Sequence, residues 1–326
     1  MKSLLAGCAL TASASGAALA DPALIFDLGG KFDKGFNESA HVGAQRWVQE
    51  TGGSYKELEM QSEAQREQAL RRLAETGANP IVMTGFAFGD VLNKVAPDYP
   101  DTQFAIIDMV VDQPNVQSVV FTEEQGSYLA GIMAAMVSKS GTVGFIGGMD
   151  IPLIHKFECG YAQGFKAARP DGRLLINYTG TTPAAWNDPV KGGELTRAQI
   201  GQGADVIYAA AGGTGIGVLQ TAADEGILSI GVDSNQNHLH PGKVLTSMVK
   251  SVDNAVFDAF TAGTDMVPGV RVMDLAAEGV GVAVDDNNRD LITAEMQAAV
   301  DDAKAKIASG EIKVHDYMTD NTCPVR

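Results

Sequence analysis

Cysteine is scarce in this chain, three residues in 326, and no C-x-x-C pair occurs. Dithiol redox chemistry and a catalytic thiol therefore have no starting point. Basic residues are also few. Twenty-four Lys and Arg stand against 40 Asp and Glu, a formal net charge of −16. A field of that sign repels phosphate backbones and excludes general nucleic-acid binding. Aromatic residues make up 6%, and tryptophan occurs only at Trp47 and Trp186. Apolar runs fall short of the ~20 residues that a membrane helix needs. Neither G-x-x-x-x-G-K-[ST] nor G-x-S-x-G is present, so P-loop hydrolysis and a nucleophile elbow are both excluded. With no other nucleophile–base arrangement, an enzyme is not expected.

What the chain has in quantity is glycine, 37 residues, within a 45% hydrophobic composition. A chain of this length buries a sizeable core and divides into two lobes. Residues 1–20 read as an address. Lys2 precedes the apolar stretch Leu4 to Leu10, and Ala18-Leu19-Ala20 offers a small-residue cleavage site, so a secretory signal ending before Asp21 is expected. Leu5-Ala6-Gly7-Cys8 is similar to a bacterial lipobox and offers a lipid-anchored alternative, with only a short apolar region before Cys8. The leader holds one Lys and no acid, which leaves 23 basic and 40 acidic residues, a net charge of −17. The expectation is a periplasmic monomer with no stable membrane insertion. Export permits a Cys159–Cys323 disulfide, and two free thiols remain equally open.

Short β-branched runs alternate with helical stretches. Ala23 to Phe26, Asn79 to Gly85, Thr102 to Asp108, Val116 to Phe121, Gly141 to Gly148, Leu174 to Tyr178, Ala204 to Ala209 and Ile227 to Asp233 read as strands. Continuous apolar strands separated by helices indicate parallel sheets covered on both faces. The strand–helix order recurs in two series, so the fold class is α/β with two doubly wound lobes and a cleft between them. The first crossing between lobes is placed at Phe121 to Gly126, later ones near Val244 to Lys250 and Leu275 to Val284. One lobe then comprises 21–121 plus about 248–278, the other 122–247 plus about 279–326. Ligands in such sheets sit beyond the carboxyl ends of strands. Here those ends carry Asp27-Leu28-Gly29-Gly30, Thr84-Gly85-Phe86, Asp108, Gly147-Gly148, Gly212-Gly213 and Asp233.

The most informative segment runs from Asp27 to Asn37. Its glycines allow a sharp turn after the strand, and Phe36-Asn37 opens a helix. Phe36 presents an aromatic face at the crevice, and the Asn37 amide has donors and an acceptor for a heterocycle edge. This segment resembles the opening motif of the basic membrane protein family, the purine-nucleoside-binding components of ABC importers. Matching stretches follow in order: Phe104 to Asp108, Glu124 to Gly131, Trp186 to Gly192, Gln202 to Ile207, Gly212 to Gly217, Gly231 to Gln236 and Leu245 to Lys250. The resemblance implies a type I periplasmic-binding-protein fold that closes around a purine nucleoside or base and delivers it to a permease. It also implies stacking of the base between Phe36 and Trp186, the latter standing where the family usually has Phe. Asp233 and Lys250 match residues that hold ribose hydroxyls, and Asp27, Asn37 and Asp108 match positions near the base edge. Which of these three touches the base is left open.

Competing readings exist. Gly212 to Gly217 followed by Asp233 mimics a dinucleotide fingerprint and would suit an NAD-dependent dehydrogenase, but its spacing departs from G-x-G-x-x-G. A sugar-binding or chemoreceptor-linked binding protein would use the same fold. His238-Leu239-His240 lacks a third metal ligand. The acids from Asp286 to Asp290 lack the glycine and terminal Glu of a calcium loop and are read instead as capping a helix from Thr293 to Ser309. No metal or cofactor is expected.

Overall fold

A computed structural model of the chain describes residues 20–326. The leader's secretory and lipid-anchor readings, Cys8 included, lie outside the described residues.

Strands β1 (Ala23–Phe26), β2 (Lys56–Glu59), β3 (Ile81–Thr84), β4 (Phe104–Ile107) and β5 (Val116–Phe121) alternate with helices α1 (Phe36–Thr51), α2 (Arg66–Glu75) and α3 (Gly89–Val95). The second series has helices α4 (Glu123–Val137), α5 (Pro152–Ala168), α6 (Pro189–Gly201) and α7 (Thr214–Asp224). Its strands are β6 (Thr142–Met149), β7 (Arg173–Gly180), β8 (Val206–Ala210), β9 (Leu228–Asp233) and β10 (Val244–Lys250). Helix α8 (Val252–Ala262), strands β11 (Gly269–Met273) and β12 (Val280–Val282), and helix α9 (Ala294–Ala308) complete the chain.

Two six-stranded sheets result, ordered β11-β5-β4-β3-β1-β2 and β12-β10-β9-β8-β6-β7. Every pairing is parallel except β10 with β12. The first sheet therefore draws on 23–121 and 269–273, the second on 142–250 and 280–282. Val244–Lys250, read from sequence as a crossing, is a strand of the second sheet. Its apolar run pairs with β9, and the chain leaves the sheet after Lys250.

The central strands are apolar throughout because both faces are covered. Ala23, Ile25, Ile81, Met83, Phe104 and Ile106 pack against Leu70 and Leu73 of α2 and Leu92 and Val95 of α3. The alternate residues Leu24, Phe26, Val82, Ala105 and Ile107 join Ala40 and Ala44 of α1 and Val256 and Ala259 of α8. The period of two in a strand thus feeds two separate cores. Trp47 packs edge-on against Phe260 of α8 at 5.5 Å between centroids and does not line the cleft. Cys159 on α5 is disulfide-bonded to Cys323, which fastens the C-terminal segment. Helix α9 is capped by Thr293, whose hydroxyl accepts from Met296 N–H at 3.1 Å. The acids of 286–290 do not cap it, because the helix starts at Ala294, four residues after the last of them.

Candidate ligand-binding cleft

The carboxyl ends of β1, β3, β4, β8, β9 and β10 converge between the sheets around a cavity with about 80 Å³ open to the centre of a water molecule. All eight residues singled out in the sequence line it: Asp27, Phe36, Asn37, Asp108, Trp186, Gly212, Asp233 and Lys250. The chain distance between them, up to 223 residues from Asp27 to Lys250, is closed by the parallel sheets, which bring strand ends to one edge.

On the first lobe, Asp27 follows β1. Its Oδ1 accepts from Arg66 Nη2 at 2.8 Å and Nε at 3.1 Å. Arg66 is 5% exposed and lies over the Phe88 ring, so the cation that this carboxylate needs comes from the start of α2. Asn37 Nδ2 donates to the carbonyls of Gly30 at 3.1 Å and Asp27 at 3.3 Å, and its Oδ1 accepts from Thr84 Oγ1 at 2.9 Å. Both amide hydrogens expected to read a heterocycle are thus spent on bracing the glycine loop. Asp33, not singled out in the sequence, accepts from the N–H groups of Gly35, Asn37 and Glu38 at 2.9 to 3.1 Å and caps α1. Burial pushes its carboxyl above the ordinary range, against the pull of those donors.

On the second lobe, the 3₁₀ turn Pro183–Trp186 delivers the indole to the cavity. The ring packs against Gly148 and Gly212, where a Cβ at Gly148 would overlap it and one at Gly212, which has φ +53°, would stand 3.7 Å from Cε3. Gly212-Gly213, the partial dinucleotide fingerprint, therefore backs Trp186. The lobes touch across the cleft: Ser234 Oγ donates to Gly35 O and Gln236 Nε2 to Lys34 O, each at 2.8 Å.

Charge is concentrated at the far wall. Lys250 Nζ, 1% exposed in its side chain, lies 2.7 Å from Asp108 Oδ2 and 2.9 Å from Glu123 Oε1. It also stands 5.1 Å from the centre of the Phe36 ring. Burial would lower the Lys250 pKa, but Asp108, Glu123 and Asp233 outweigh it and keep the ammonium charged. Asp108 is raised, by burial first, with Lys250 opposing. Its Oδ1 is buried without a hydrogen-bond partner. Asp233 feels Lys250 through space, and burial pushes its carboxyl up to about 7. Asp108 and Asp233 both end strands in the left-handed region, at φ +71° and +63°, a conformation that aspartate tolerates better than most residues but that still stores strain.

Arg66, Asp33, Glu123 and Lys156 escaped the sequence reading. A signal existed for two of them: Lys156 interrupts the apolar run from Pro152 to Phe157, and Glu123 immediately precedes an apolar helix. Buried acids need cations, and Lys156 is the one Lys or Arg between Gly141 and Phe165.

A family model described as ABC transporter substrate-binding protein PnrA-like, Bmp, matches residues 22–317. The "ABC transporter nucleoside-binding protein BmpA" of Lactococcus lactis is 33% identical over 316 residues, covering 90% of this chain and 88% of that one. An uncharacterised lipoprotein of Pyrococcus abyssi is 33% identical over 278 residues, covering 79% of this chain and 68% of the relative. The crystal structure of an ABC transporter solute-binding protein from Aeropyrum pernix superimposes with a TM-score of 0.83 at 27% identity, covering 91% and 93% of the two chains. With its two parallel sheets, its interlobe cavity and a match that spans nearly all the described residues, this chain belongs to the Bmp family of PnrA-like ABC transporter substrate-binding proteins.

Proposed function

We propose that the chain binds a purine nucleoside, or the free base, in the periplasm and delivers it to the permease of an ABC importer, without catalysing a reaction. The observation that supports this reading is the set of groups on the cavity wall. Phe36 and Trp186 enter from opposite lobes and offer two ring faces to a planar heterocycle, while Asp108 Oδ1 is a buried acceptor with no partner. Unpaired buried acceptors are costly, so a ligand that donates O–H or N–H groups relieves this one. The carboxylates of Asp27, Asp33, Asp108 and Asp233 face the cavity against Lys250, the one cavity-lining cation among the described residues. That balance favours a neutral hydroxylated ligand and disfavours a phosphorylated one. The name of the Lactococcus lactis relative, a nucleoside-binding protein, agrees with this ligand class. We assign Asp233 and Lys250 to the ribose hydroxyls. Asp27 and Asn37, engaged with Arg66 and the glycine loop, shape the wall beside the base.

Calorimetric titration with adenosine, guanosine, inosine, their free bases and NAD tests the reading. At about 100 times the dissociation constant, a nucleoside adds about 2.7 kcal/mol to unfolding stability. Asp233→Ala and Lys250→Ala are expected to weaken nucleosides by about 1.5–3 kcal/mol and bases much less. Equal losses for both would remove the ribose assignment, and a response to NAD alone would remove the nucleoside.

A further inference from the structure

We propose that Lys156, which does not line the cavity, is a positioning residue for ligand binding, acting through Glu123 on the ammonium of Lys250. This inference rests on the cavity being the ligand site.

Lys156 lies on α5 beside the cavity-lining Phe157, and it is 7% exposed. Its Nζ donates to the carbonyl of Phe121 at 2.7 Å, the last residue of β5, where the chain leaves the first sheet. The same ammonium stands 3.1 Å from Glu123 Oε2, 3.3 Å from Glu124 Oε2 and 3.4 Å from Asp316 Oδ2. Glu123 presents its other oxygen to Lys250. Lys250 ends β10, where the chain leaves the second sheet, and its hydrogen bond to Asp108 reaches back to the first lobe. A row of alternating charges, Lys156, Glu123, Lys250, Asp108, therefore ties two interlobe connections together and ends at the ligand wall.

Each member depends on the next. Glu123 is 1% exposed, and burial alone would raise its carboxyl; Lys250 and Lys156 together hold it below the ordinary value. With Lys156 gone, a buried carboxylate keeps one of its two cations and loses the group that fixes it to the connection at Phe121. It then takes up a proton or turns away, because an uncompensated buried charge is costly. Lys250 in turn loses one of the two carboxylates that aim its ammonium. The row opens to the ligand only at Lys250 and Asp108, so a disturbance at Lys156 is felt there. A merely structural lysine would cost stability without changing the state of Lys250.

The test uses the mature chain with adenosine, guanosine and inosine as calorimetric probes, and with Lys156→Met, Lys156→Arg, Glu123→Gln and the Lys156→Met/Glu123→Gln double variant. Lys156→Met and Glu123→Gln are expected to weaken binding about 10-fold each, within the range for residues that act at a distance. Lys156→Arg restores most of the affinity. The double variant binds no more weakly than Glu123→Gln alone, since one residue acts through the other. A second readout needs no ligand: acetylation of Lys250 by acetic anhydride, followed by peptide mass spectrometry, rises in Lys156→Met and Glu123→Gln but not in Lys156→Arg. If wild-type protein binds none of the three nucleosides, the nucleoside reading fails while Lys250 acetylation still decides the positioning role. If Lys156→Met does not fold, the nearly isosteric Glu123→Gln and the arginine variant carry the comparison. Unchanged Lys250 reactivity in the folded variants, or additive losses in the double variant, would overturn the proposal.

Discussion

Replacing Asp233 by asparagine is expected to stabilise the ligand-free protein near pH 8 while weakening nucleoside binding. The carboxyl is 8% exposed at the end of β9, and burial pushes its pKa up to about 7, with Lys250 opposing and Asp108, Asp33 and Glu123 adding to the rise. In an unfolded chain the same group titrates near 3.9. Between those values the native state keeps a proton that the unfolded state releases, so stability falls as pH rises, by about 1.4 kcal/mol per pH unit. Over the whole interval the loss amounts to about 4 kcal/mol, complete once the pH passes the folded value. The asparagine variant has no such slope. Glu124, also raised by burial to about 7, is common to both proteins and cancels in their difference. Urea titrations of ligand-free wild type and Asp233→Asn from pH 5 to pH 8 give the comparison. About 1.5 kcal/mol of the difference is already present at pH 5, a further ~2.7 kcal/mol should accrue in favour of the variant up to pH 7, and the curves should then run parallel to pH 8. A nucleoside whose hydroxyls donate to the carboxylate favours its ionised form, so binding at pH 7 should release a fraction of a proton, readable by calorimetry in two buffers of different ionisation enthalpy. Stability curves that stay parallel across this range would refute the argument, because they would mean that Asp233 is ionised at little cost.

Trp186→Ala and Phe36→Ala should each weaken nucleoside binding by about 1–3 kcal/mol, the scale of base–aromatic stacking, while Trp186→Phe retains it; full affinity in both alanine variants, measured by calorimetry, rejects the sandwich. Arg66→Ala leaves Asp27 without its cation and should cost about 3 kcal/mol of unfolding stability in urea; a loss below about 1 kcal/mol would show that solvent serves Asp27 equally well. Opening the Cys159–Cys323 bond with dithiothreitol should lower the melting temperature, since a link across 164 residues restricts the unfolded chain by about 2–5 kcal/mol; an unchanged melting temperature would mean that the C-terminal segment docks on α5 without it.

Besides β10, which reads as a crossing, three strands were not legible in the sequence, each for a physical reason. β2 reads Lys-Glu-Leu-Glu, and its alternating exposure at a sheet edge removes the apolar run by which β1, β3 and β4 announce themselves. β11, also an edge strand, exposes Val270 and Val272 and leaves only Met273 buried, so its pattern lacks one covered face. β12 is three residues long.

The sequence by itself determined the alternation of buried strands and amphipathic helices, the glycine loop between Asp27 and Phe36, and the residue types gathered at strand ends. These are local properties, set by side-chain period and turn chemistry; they mark Asp27, Phe36, Asn37, Asp108, Gly212 and Asp233 near strand ends, whereas Trp186 and Lys250 were picked out by the family resemblance, and all eight line the cavity. Tertiary structure alone decided how the charges pair. Asp27 takes Arg66 from 39 residues away, Lys250 takes Asp108 from 142 residues away, and Cys159 takes Cys323 from 164 residues away. Nothing local distinguishes Arg66 from Arg71. What separates them is which face of the helix packs inward, and burial there turns an ordinary solvated cation into the required partner of a carboxylate.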